Sequence, residues 1–424
     1  PYLDLEVGLL PEKDKRAAFA WEWLSLPYPW TADTTWMRTD LYKERFTFSP
    51  NKIQAVVQKA AVEILEPGIL VLEAPMGCGK TEAALVAAEI FAAKKKRKGI
   101  FFALPTQATS DGIFPRILKW VEKLGSDELH SIRLMHGKSE FNEVYQNLAG
   151  STNIGEDEIS NVIVHEWFEG RKKAMLDDFV VGTIDQLLLA ALKQKHVMLR
   201  HLGLANKVVI IDECHAYDAY MSQYLNVALS WLGAYQVPVI VLSATLPAKK
   251  RQEIVEAYLS YHFTPTVQND PLGRGSNEQP RLPDLITTHK YPLITYSDGE
   301  KISQKTIRNN TDSREISLGY VSKDTLTDKL TDLLSDGGCA GIIVNTVKKA
   351  QELTKLLCRC FGDDTVLLIH SRFMAPDRAE REKRLMNELG KLDNSRVRPF
   401  LRIVVGTQVL EQSLDIEFDV LISD

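Results

Sequence analysis

The stretch ILVLEAPMGCGKTEAALVAAEIFAAKKK, residues 69–96, decides the fold. It begins with a short apolar run, ILVLEAP (69–75), which is typical of a parallel strand buried on both faces. A helical pattern covers residues 80–96, and a glycine-rich loop joins the two. Such a loop at a helix N-terminus binds phosphate, because backbone N–H groups and the helix dipole both favour negative charge. The stretch therefore predicts a P-loop NTPase.

The loop itself, APMGCGKT (74–81), supplies candidate ligands for ATP. Gly77 and Gly79 allow the backbone to approach the phosphates, and Lys80 is expected to reach the β and γ phosphates. The hydroxyl of Thr81 is expected to ligate Mg²⁺. The predicted nucleotide-binding set of this segment is Gly77, Cys78, Gly79, Lys80, Thr81 and Glu82.

A second motif, IIDECH (210–215), ends an apolar strand with two carboxylates. We expect Asp212 to hold Mg²⁺ and Glu213 to orient or deprotonate the attacking water. His215 is placed with this catalytic set as the residue that connects the nucleotide site to the next motif. Cys214 is interpreted as a small packing residue.

The third motif, LSATLP (242–247), follows another buried strand. Ser243 and Thr245 carry small hydroxyl groups that can hydrogen-bond the acidic motif and relay the nucleotide state. We therefore predict a coupling role for both residues.

Strands alternate with helical patterns along most of the chain, which predicts an α/β fold with doubly wound parallel sheets. We expect a Trp-rich arm or connector over 1–47, a first lobe over 48–265, a linker over 266–290 and a second lobe over 291–424. The first-lobe strands are predicted at 69–75, 99–105, 180–183, 207–213 and 237–245. The second-lobe strands are predicted at 291–296, 315–321, 340–346, 365–370, 401–407 and 418–423.

Composition limits the class of protein. The 424 residues carry a formal charge of −5, so any contact with nucleic acid must be a local patch. Five scattered cysteines do not suggest a disulfide framework, and a reducing cytoplasm is the simpler expectation. No apolar run is long enough for a membrane span. The basic run KKKRK (94–98) is interpreted as a solvated helix end.

The three motifs, in this order, resemble a DExD/H-box helicase of superfamily two, which implies two RecA-like domains in tandem with ATP bound in the cleft between them. FSPNKIQ (48–54) is similar to the adenine-reading motif, with Gln54 on the adenine edge and Phe46 or Phe48 stacked on the base. Segments 103–110, 180–188, 370–373 and 404–416 resemble motifs that contact nucleic acid, and the last one also contacts nucleotide through Asp415. The implied contacts with nucleic acid are Thr106, Gln107, Thr183, Ser371, Arg372, Thr407 and Gln408.

The combination EAPMGCGKTEAAL, ALPTQATS, VGTIDQLL, DECHAYD and TQVLEQSLDI is similar to the helicase of type I CRISPR systems over residues 48–424. This resemblance implies an ATP- and Mg²⁺-dependent motor on single-stranded DNA, with 3′ to 5′ polarity. It also implies recruitment to the RNA-guided surveillance complex for the degradation of target DNA.

Two departures from the family pattern qualify this expectation. The sequence contains no His-Asp dipeptide, so an HD nuclease is expected to be a separate or removed part. The arginine-finger motif does not follow FDVLISD (418–424), so the second lobe is expected to be incomplete. Two alternatives stay open: an RNA helicase, and a nucleotide-gated scaffold recruited to a partner complex.

Overall fold

The chain divides into two compact units, Pro1–Asn310 and Thr311–Asp424. The structure is a computed structural model, and it describes residues 13–32, 40–125, 129–137, 139–151, 161–170, 172–263, 288–307, 316–322, 324–390, 398–412 and 416–424. Among these residues, no helix is long and apolar enough to cross a membrane.

The first unit is built on one mixed sheet. Its strands are β1 (Pro67–Glu73), β2 (Ile100–Leu104), β3 (His130–Met135), β4 (Val162–Ile163), β5 (Phe179–Thr183), β6 (Val208–Ile211), β7 (Val239–Ser243), β8 (Leu293–Asp298) and β9 (Lys301–Thr306). Within the described residues their order is β4-β3-β5-β2-β6-β7-β1-β8-β9. Strands β1 to β7 pair in parallel, whereas β8 is antiparallel to both β1 and β9.

Helices cover both faces of this sheet. The α-helices of this unit are α1 (Lys13–Leu24), α2 (Leu41–Phe46), α3 (Lys52–Glu63), α4 (Lys80–Lys95), α5 (Gln107–Val121), α6 (Glu143–Ser151), α7 (Ile184–Leu188), α8 (Val197–Ala205), α9 (Ala219–Ala234) and α10 (Ala248–Leu259) within the described residues. Leu70 and Leu72 of β1 face the core that contains α3, α4 and α5, whereas Ile69 and Val71 face the core that contains α9 and α10. This alternation explains why β1 is apolar at every one of these positions.

The second unit repeats the architecture on a smaller scale. Its elements are α11 (Leu326–Leu333), β10 (Gly338–Ile343), α12 (Val347–Phe361), β11 (Val366–Ile369), α13 (Ala375–Leu389), β12 (Leu401–Gly406), α14 (Gln408–Gln412) and β13 (Val420–Ser423). The four described strands are parallel in the order β11-β12-β10-β13. Two apolar cores flank them, one against α11 and α12 and the other against α13. The predicted fold class of two doubly wound α/β domains is confirmed.

The predicted boundary at residue 291 is wrong. The strand expected to open the second lobe is β8, which pairs with β1 of the first unit through Leu72↔Ile294 and Glu73↔Leu293. Pairing partners more than 200 residues apart leave no local signal, so the alternating run 291–296 could not be assigned to a sheet from its sequence. Of the linker predicted over 266–290, residues 266–287 lie outside the described residues.

The strand predicted at 315–321 is also wrong where the structure describes it. Residues 316–322 form no strand, and the apolar side chains at alternate positions, Ile316, Leu318 and Tyr320, are exposed. An alternating pattern forms a strand only where a neighbouring strand satisfies its backbone, and none of the described strands pairs here.

The basic run 94–98 is only in part a solvated helix end: Lys96 is exposed, whereas Lys94 and Arg97 have partners within the fold. The ammonium group of Lys94 donates to the carbonyl oxygens of Ala61 and Val62, at 2.9 and 2.7 Å. Arg97 donates to the carbonyls of Ala205, Tyr235 and Gln236. These cations instead satisfy carbonyl groups at the ends of neighbouring helices, where positive charge also complements the helix dipole.

The Trp-rich arm is partly integrated into the first unit. The indole of Trp30 is 2% exposed and lies 6.2 Å from Trp120 and 5.2 Å from Phe179, ring centre to ring centre. Its backbone N–H donates to Asp178 at 3.1 Å. Trp23, by contrast, is 68% exposed, and Trp36 lies outside the described residues. The arm is therefore anchored at Trp30.

Trp30→Ala should lower the free energy of unfolding of the first unit by about 3–5 kcal/mol, because it removes a fully packed aromatic side chain. Trp23→Ala, the matched control on the exposed helix α1, should change it by less than about 0.5 kcal/mol. Urea denaturation followed by circular dichroism measures both. Equal effects of the two substitutions would mean that Trp30 does not anchor the arm.

Candidate active site

The parallel register of the first sheet brings the predicted motifs to one edge. Strand partners Glu73↔Ser243, Ile211↔Val241, Ala103↔Ile211 and Leu104↔Thr183 align the carboxyl ends of β1, β7, β6, β2 and β5. The phosphate loop, the acidic motif and the SAT segment therefore leave adjacent strand ends. Open α/β sheets bind their ligands at this edge.

The phosphate loop between β1 and α4 depends on its two glycines. Gly77 and Gly79 have φ angles of 72° and 79°, in the left-handed region that favours glycine. A Cβ atom at Gly79 would meet the side-chain amide of Gln54, so a larger residue would have to displace that amide from the loop. The strand–loop–helix context predicted for 69–96 is thus present, with the helix beginning at Lys80.

Two amide side chains at the start of α3 hold this loop from behind. Asn51 Nδ2 donates to the Cys78 carbonyl at 2.9 Å, and Gln54 Nε2 donates to the Gly79 carbonyl at 3.2 Å. Asn51 and Gln54 also form a capping box at the start of α3. The Gln54 backbone N–H donates to Asn51 Oδ1 at 2.9 Å, and the Asn51 backbone N–H donates to Gln54 Oε1 at 3.0 Å. Gln54 is only 2% exposed, and both the oxygen and the nitrogen of its side-chain amide form hydrogen bonds with the backbone. In this structure Gln54 fixes the phosphate loop, and its adenine-reading role stays a prediction.

The Lys80 side chain lies folded back onto the loop. Its ammonium donates to the carbonyl oxygens of Ala74 at 2.9 Å and Pro75 at 3.2 Å, and the residue is 8% exposed. Two carbonyl acceptors keep the charge satisfied inside the fold. A phosphate oxygen bound at the loop can replace either acceptor without exposing the ammonium to water.

The acidic pair combines burial with like charge. Asp212 is 8% exposed, and burial, followed by the negative charge of Glu213, raises its pKa to about 7. Lys80, Arg116 and the N–H of Glu213, which donates to Asp212 at 2.8 Å, act in the opposite direction. A buried carboxylate of this kind is stabilised by a divalent cation, and Mg²⁺ prefers carboxylate and hydroxyl oxygens. The buried Asp212 carboxylate therefore has the chemistry of a Mg²⁺ ligand, and its pairing with the Thr81 hydroxyl at this ion stays a prediction.

The next residues connect the acidic motif to the SAT segment. His215 Nδ1 lies 3.2 Å from Glu213 Oε2 and 3.3 Å from Ser243 Oγ. The hydroxyl of Ser243 donates to the Thr245 carbonyl at 2.8 Å, so its oxygen accepts from His215. The structure thus places His215 between the two motifs, while Thr245 takes part through its backbone carbonyl. Cys214 is fully buried and packs in the core.

Two residues of the predicted nucleotide set have other partners, and one lies outside the described residues. Glu82 forms an ion pair with Arg116 of α5. Burial raises the pKa of the half-buried Cys78 thiol, and its carbonyl binds Asn51. Asp415 lies outside the described residues.

The predicted nucleic-acid residues of the first unit follow β2 and β5. Thr106 caps α5, and its hydroxyl accepts from the Thr109 N–H at 3.1 Å. Gln107 is exposed beside it. Thr183 is 5% exposed and precedes α7 without a capping bond from its side chain. The sheet register places all three at the same edge as the phosphate loop. Their strands, β2 and β5, are the third and fourth from β1 in the sheet.

The corresponding residues of the second unit lie at the carboxyl edge of its own sheet. Ser371 and Arg372 are exposed after β11, and Gln408 is exposed after β12. Thr407 is 7% exposed. His370 is buried, and its ring stacks on Phe373 with the ring centres 4.1 Å apart. His370 therefore has a packing role.

Several residues of the site were not predicted. Asn51 could have been found, because Asn followed three residues later by Gln is a helix-capping signal. The buried ion pair of Glu73 with Arg251, at 2.5 Å, lies directly before the phosphate loop, and its partners are 178 residues apart. Tyr291, whose hydroxyl donates to the Ala244 carbonyl at 2.9 Å, comes from a segment assigned to the other lobe. The last two contacts depend on distant pairing and leave no local signal.

Two family models match separate parts of the chain. A family model described as "DEAD/DEAH box helicase" matches residues 54–254. A second, described as "CRISPR-associated nuclease/helicase Cas3, C-terminal", matches residues 336–424.

Similar proteins and structures agree with these matches. The "CRISPR-associated nuclease/helicase Cas3" of Streptococcus thermophilus is 46% identical over 100% of this chain, which spans 45% of that relative. The crystal structure of T. fusca Cas3-ATP has a TM-score of 0.77 at 33% identity and covers 91% of this chain and 43% of its own. A structure titled "CRISPR RNA-guided surveillance complex, pre-nicking" has a TM-score of 0.65 at 32% identity and covers 88% of this chain and 40% of its own. The chain thus spans less than half of each of these proteins.

Gln54→Glu should weaken ATP binding about tenfold, because it replaces the donor to the Gly79 carbonyl with a repelling carboxylate. Fluorescent ATP and GTP analogues titrated into the chain measure the effect. If Gln54 only holds the phosphate loop, the affinities for ATP and GTP should fall equally. A fall in affinity for ATP alone would show that Gln54 reads the base. The control is Gln146→Glu, which removes a comparable donor to a carbonyl on the exposed helix α6.

Proposed function

The chain belongs to the Cas3 family of CRISPR-associated helicases, and from that premise we propose that it is an ATP-driven motor that translocates on single-stranded DNA. The observation that carries this proposal is the shared edge of the first sheet. It brings a P-loop lysine, the buried Asp212 with the partly exposed Glu213, and a histidine bonded to the SAT segment to neighbouring strand ends. This edge also carries the loops after β2 and β5, where nucleic acid is expected.

The phosphate loop supplies binding and orientation. We propose that N–H groups of the loop and of the first turn of α4 receive the β and γ phosphates, since Asn51 and Gln54 hold the opposing carbonyls of Cys78 and Gly79. Lys80 then exchanges a carbonyl partner for a phosphate oxygen. The exposed ring of Phe48 packs on Phe46 with the ring centres 5.7 Å apart. It is a candidate to stack on adenine.

Hydrolysis is assigned to the acidic motif. Asp212 and Thr81 would hold Mg²⁺, which supplies positive charge against the phosphates when bound. Glu213 orients the attacking water and accepts its proton at a carboxylate oxygen. His215 lies beside that carboxylate and donates to Ser243, so a change at Glu213 reaches the loop after β7.

We propose that the loops after β2 and β5 grip the DNA backbone in the first unit, through Thr106, Gln107 and Thr183. The second unit contributes Ser371, Arg372, Thr407 and Gln408. Hydroxyl, amide and guanidinium groups of this kind contact phosphates without reading sequence. Polarity of 3′ to 5′ and a nucleotide contact from Asp415 belong to the same proposal, on the strength of the family resemblance.

The family also suggests partners. One similar structure is titled as an RNA-guided surveillance complex, and we propose that such a complex recruits this chain. The relatives are named nuclease/helicases, so we propose that an HD nuclease domain or protein acts with it. All five cysteines are free, in keeping with a reducing cytoplasm.

ATP hydrolysis by the chain with Mg²⁺ should be stimulated by single-stranded DNA and much less by single-stranded RNA or duplex DNA. Colorimetric phosphate release measures the rate, with Lys80→Ala as the blank. Equal stimulation by RNA would contradict the DNA assignment and favour an RNA helicase. Absence of stimulation by any strand, with ATP still bound, would favour a nucleotide-gated scaffold.

Glu213→Gln should lower the DNA-stimulated rate by about 100-fold or more, because it removes the group that accepts the proton from water. ATP binding should stay within about threefold, since the phosphate loop and Lys80 are unchanged. The control is Glu253→Gln, which alters an exposed carboxylate on α10. A Glu213→Gln variant with the wild-type rate would remove Glu213 from the mechanism.

A further inference from the structure

Tyr291 enters the nucleotide edge from a segment that lies far from the three motifs in sequence. It stands two residues before β8, and β8 runs antiparallel to β1 with Leu293 opposite Glu73. The start of β8 therefore lies at the end of β1, where the phosphate loop begins. A parallel strand in this position would have placed residue 291 at the opposite edge of the sheet.

The phenol of Tyr291 is bonded to the SAT segment, although the residue is 47% exposed. Its hydroxyl donates to the Ala244 carbonyl at 2.9 Å, in the middle of the SAT segment. Partial burial, followed by the charges of Cys78 and Glu73, raises the pKa of Tyr291 to about 12. The hydroxyl thus keeps its proton under working conditions and stays a donor.

A buried ion pair fixes the segment that carries Tyr291. Arg251 of α10 binds both carboxylate oxygens of Glu73, at 2.5 and 3.1 Å, and also donates to the Thr288 carbonyl at 3.0 Å. Arg251 and Glu73 are 2% and 3% exposed. A bidentate pair with this burial has one geometry. The end of β1, the helix α10 and the segment before β8 are therefore held together beneath the phosphate loop.

The bond to Ala244 acts on the residues next to it. Ser243 precedes Ala244 and receives the hydrogen bond from His215, while Thr245 follows and accepts from Ser243. The Ala244 carbonyl belongs to the peptide group between Ala244 and Thr245. A donor fixed on that oxygen sets the orientation of this peptide, and with it the position of the Ser243 hydroxyl.

We propose that Tyr291 is a positioning residue for ATP hydrolysis, which holds the SAT segment in register with the phosphate loop. This inference rests on the proposed function, because it acts through Ser243, His215 and Glu213. Tyr291 makes its bond to the SAT segment rather than to the loop N–H groups or Lys80. Its loss should therefore slow the chemical step and leave nucleotide binding almost unchanged.

The test compares Tyr291→Phe with Tyr258→Phe in the full chain. Tyr258 is the control at the other end of β7: its buried hydroxyl donates to the Val237 carbonyl at 2.8 Å, just before the amino end of the strand, whereas the more exposed Tyr291 binds just after the carboxyl end. Each substitution removes one bond from a phenol to a carbonyl. Steady-state kinetics with saturating single-stranded DNA give kcat and KM for ATP, and circular dichroism gives Tm.

Tyr291→Phe should lower kcat about fivefold, the equivalent of one hydrogen bond, with KM for ATP within about twofold. Tyr258→Phe should lower Tm by about 2–4 °C and leave kcat unchanged. Wild-type kcat in Tyr291→Phe, or an equal fall in kcat in both variants, would overturn the proposal.

Failure of the DNA motor can be distinguished from failure of the Tyr291 role. Wild-type hydrolysis without stimulation by DNA would contradict the DNA motor alone, and the same comparison on the basal rate would still decide the role of Tyr291. A wild-type chain that binds ATP and never hydrolyses it would contradict both.

Discussion

The in-register parallel pairing of β5, β2, β6, β7 and β1 is the constraint on which the site depends. Each strand is apolar on both faces, so helices cover both sides and the chain must return to the same end of the sheet after every strand. Polar residues in these five strands are then confined to the last residue of a strand and to the loop that follows it. The register aligns Glu73 with Ser243 and Leu104 with Thr183, so those loops share one edge. Burial, rather than attraction between the motifs, assembles the site.

Side chains behind the loops then set their conformation. Asn51 and Gln54 hold the carbonyls of the phosphate loop, and the buried pair of Arg251 with Glu73 holds the strand that leads into it. A buried charge pair contributes little net stability but is costly to break, so it favours a single arrangement of its neighbours. The acidic residues can therefore be kept close together, with the pKa of Asp212 raised to about 7, without loss of order.

Local sequence predicted what local physics determines. The glycine loop between an apolar strand and an alanine-rich helix was recognisable, as were the acidic and SAT motifs at strand ends. Sequence could not show that β8 pairs with β1, because antiparallel pairing to a strand 222 residues earlier (Leu72↔Ile294) leaves no mark on the run 291–296. For the same reason, neither the contact of Tyr291 with Ala244 nor the carbonyl partners of Lys94 could be predicted from the sequence. Hydrogen-bond roles such as that of Gln54 depend on which groups folding brings near.

Hydrogen–deuterium exchange of the Glu213→Gln variant, with and without ATP and Mg²⁺, tests the shared edge most directly. Nucleotide should slow exchange at residues 77–82, 213–216 and 243–246, which leave the carboxyl ends of β1, β6 and β7. Exchange at residues 98–100 and 206–208, at the amino ends of β2 and β6, should not change. Protection at the amino ends, or none at all three segments while ATP is bound, would contradict the account.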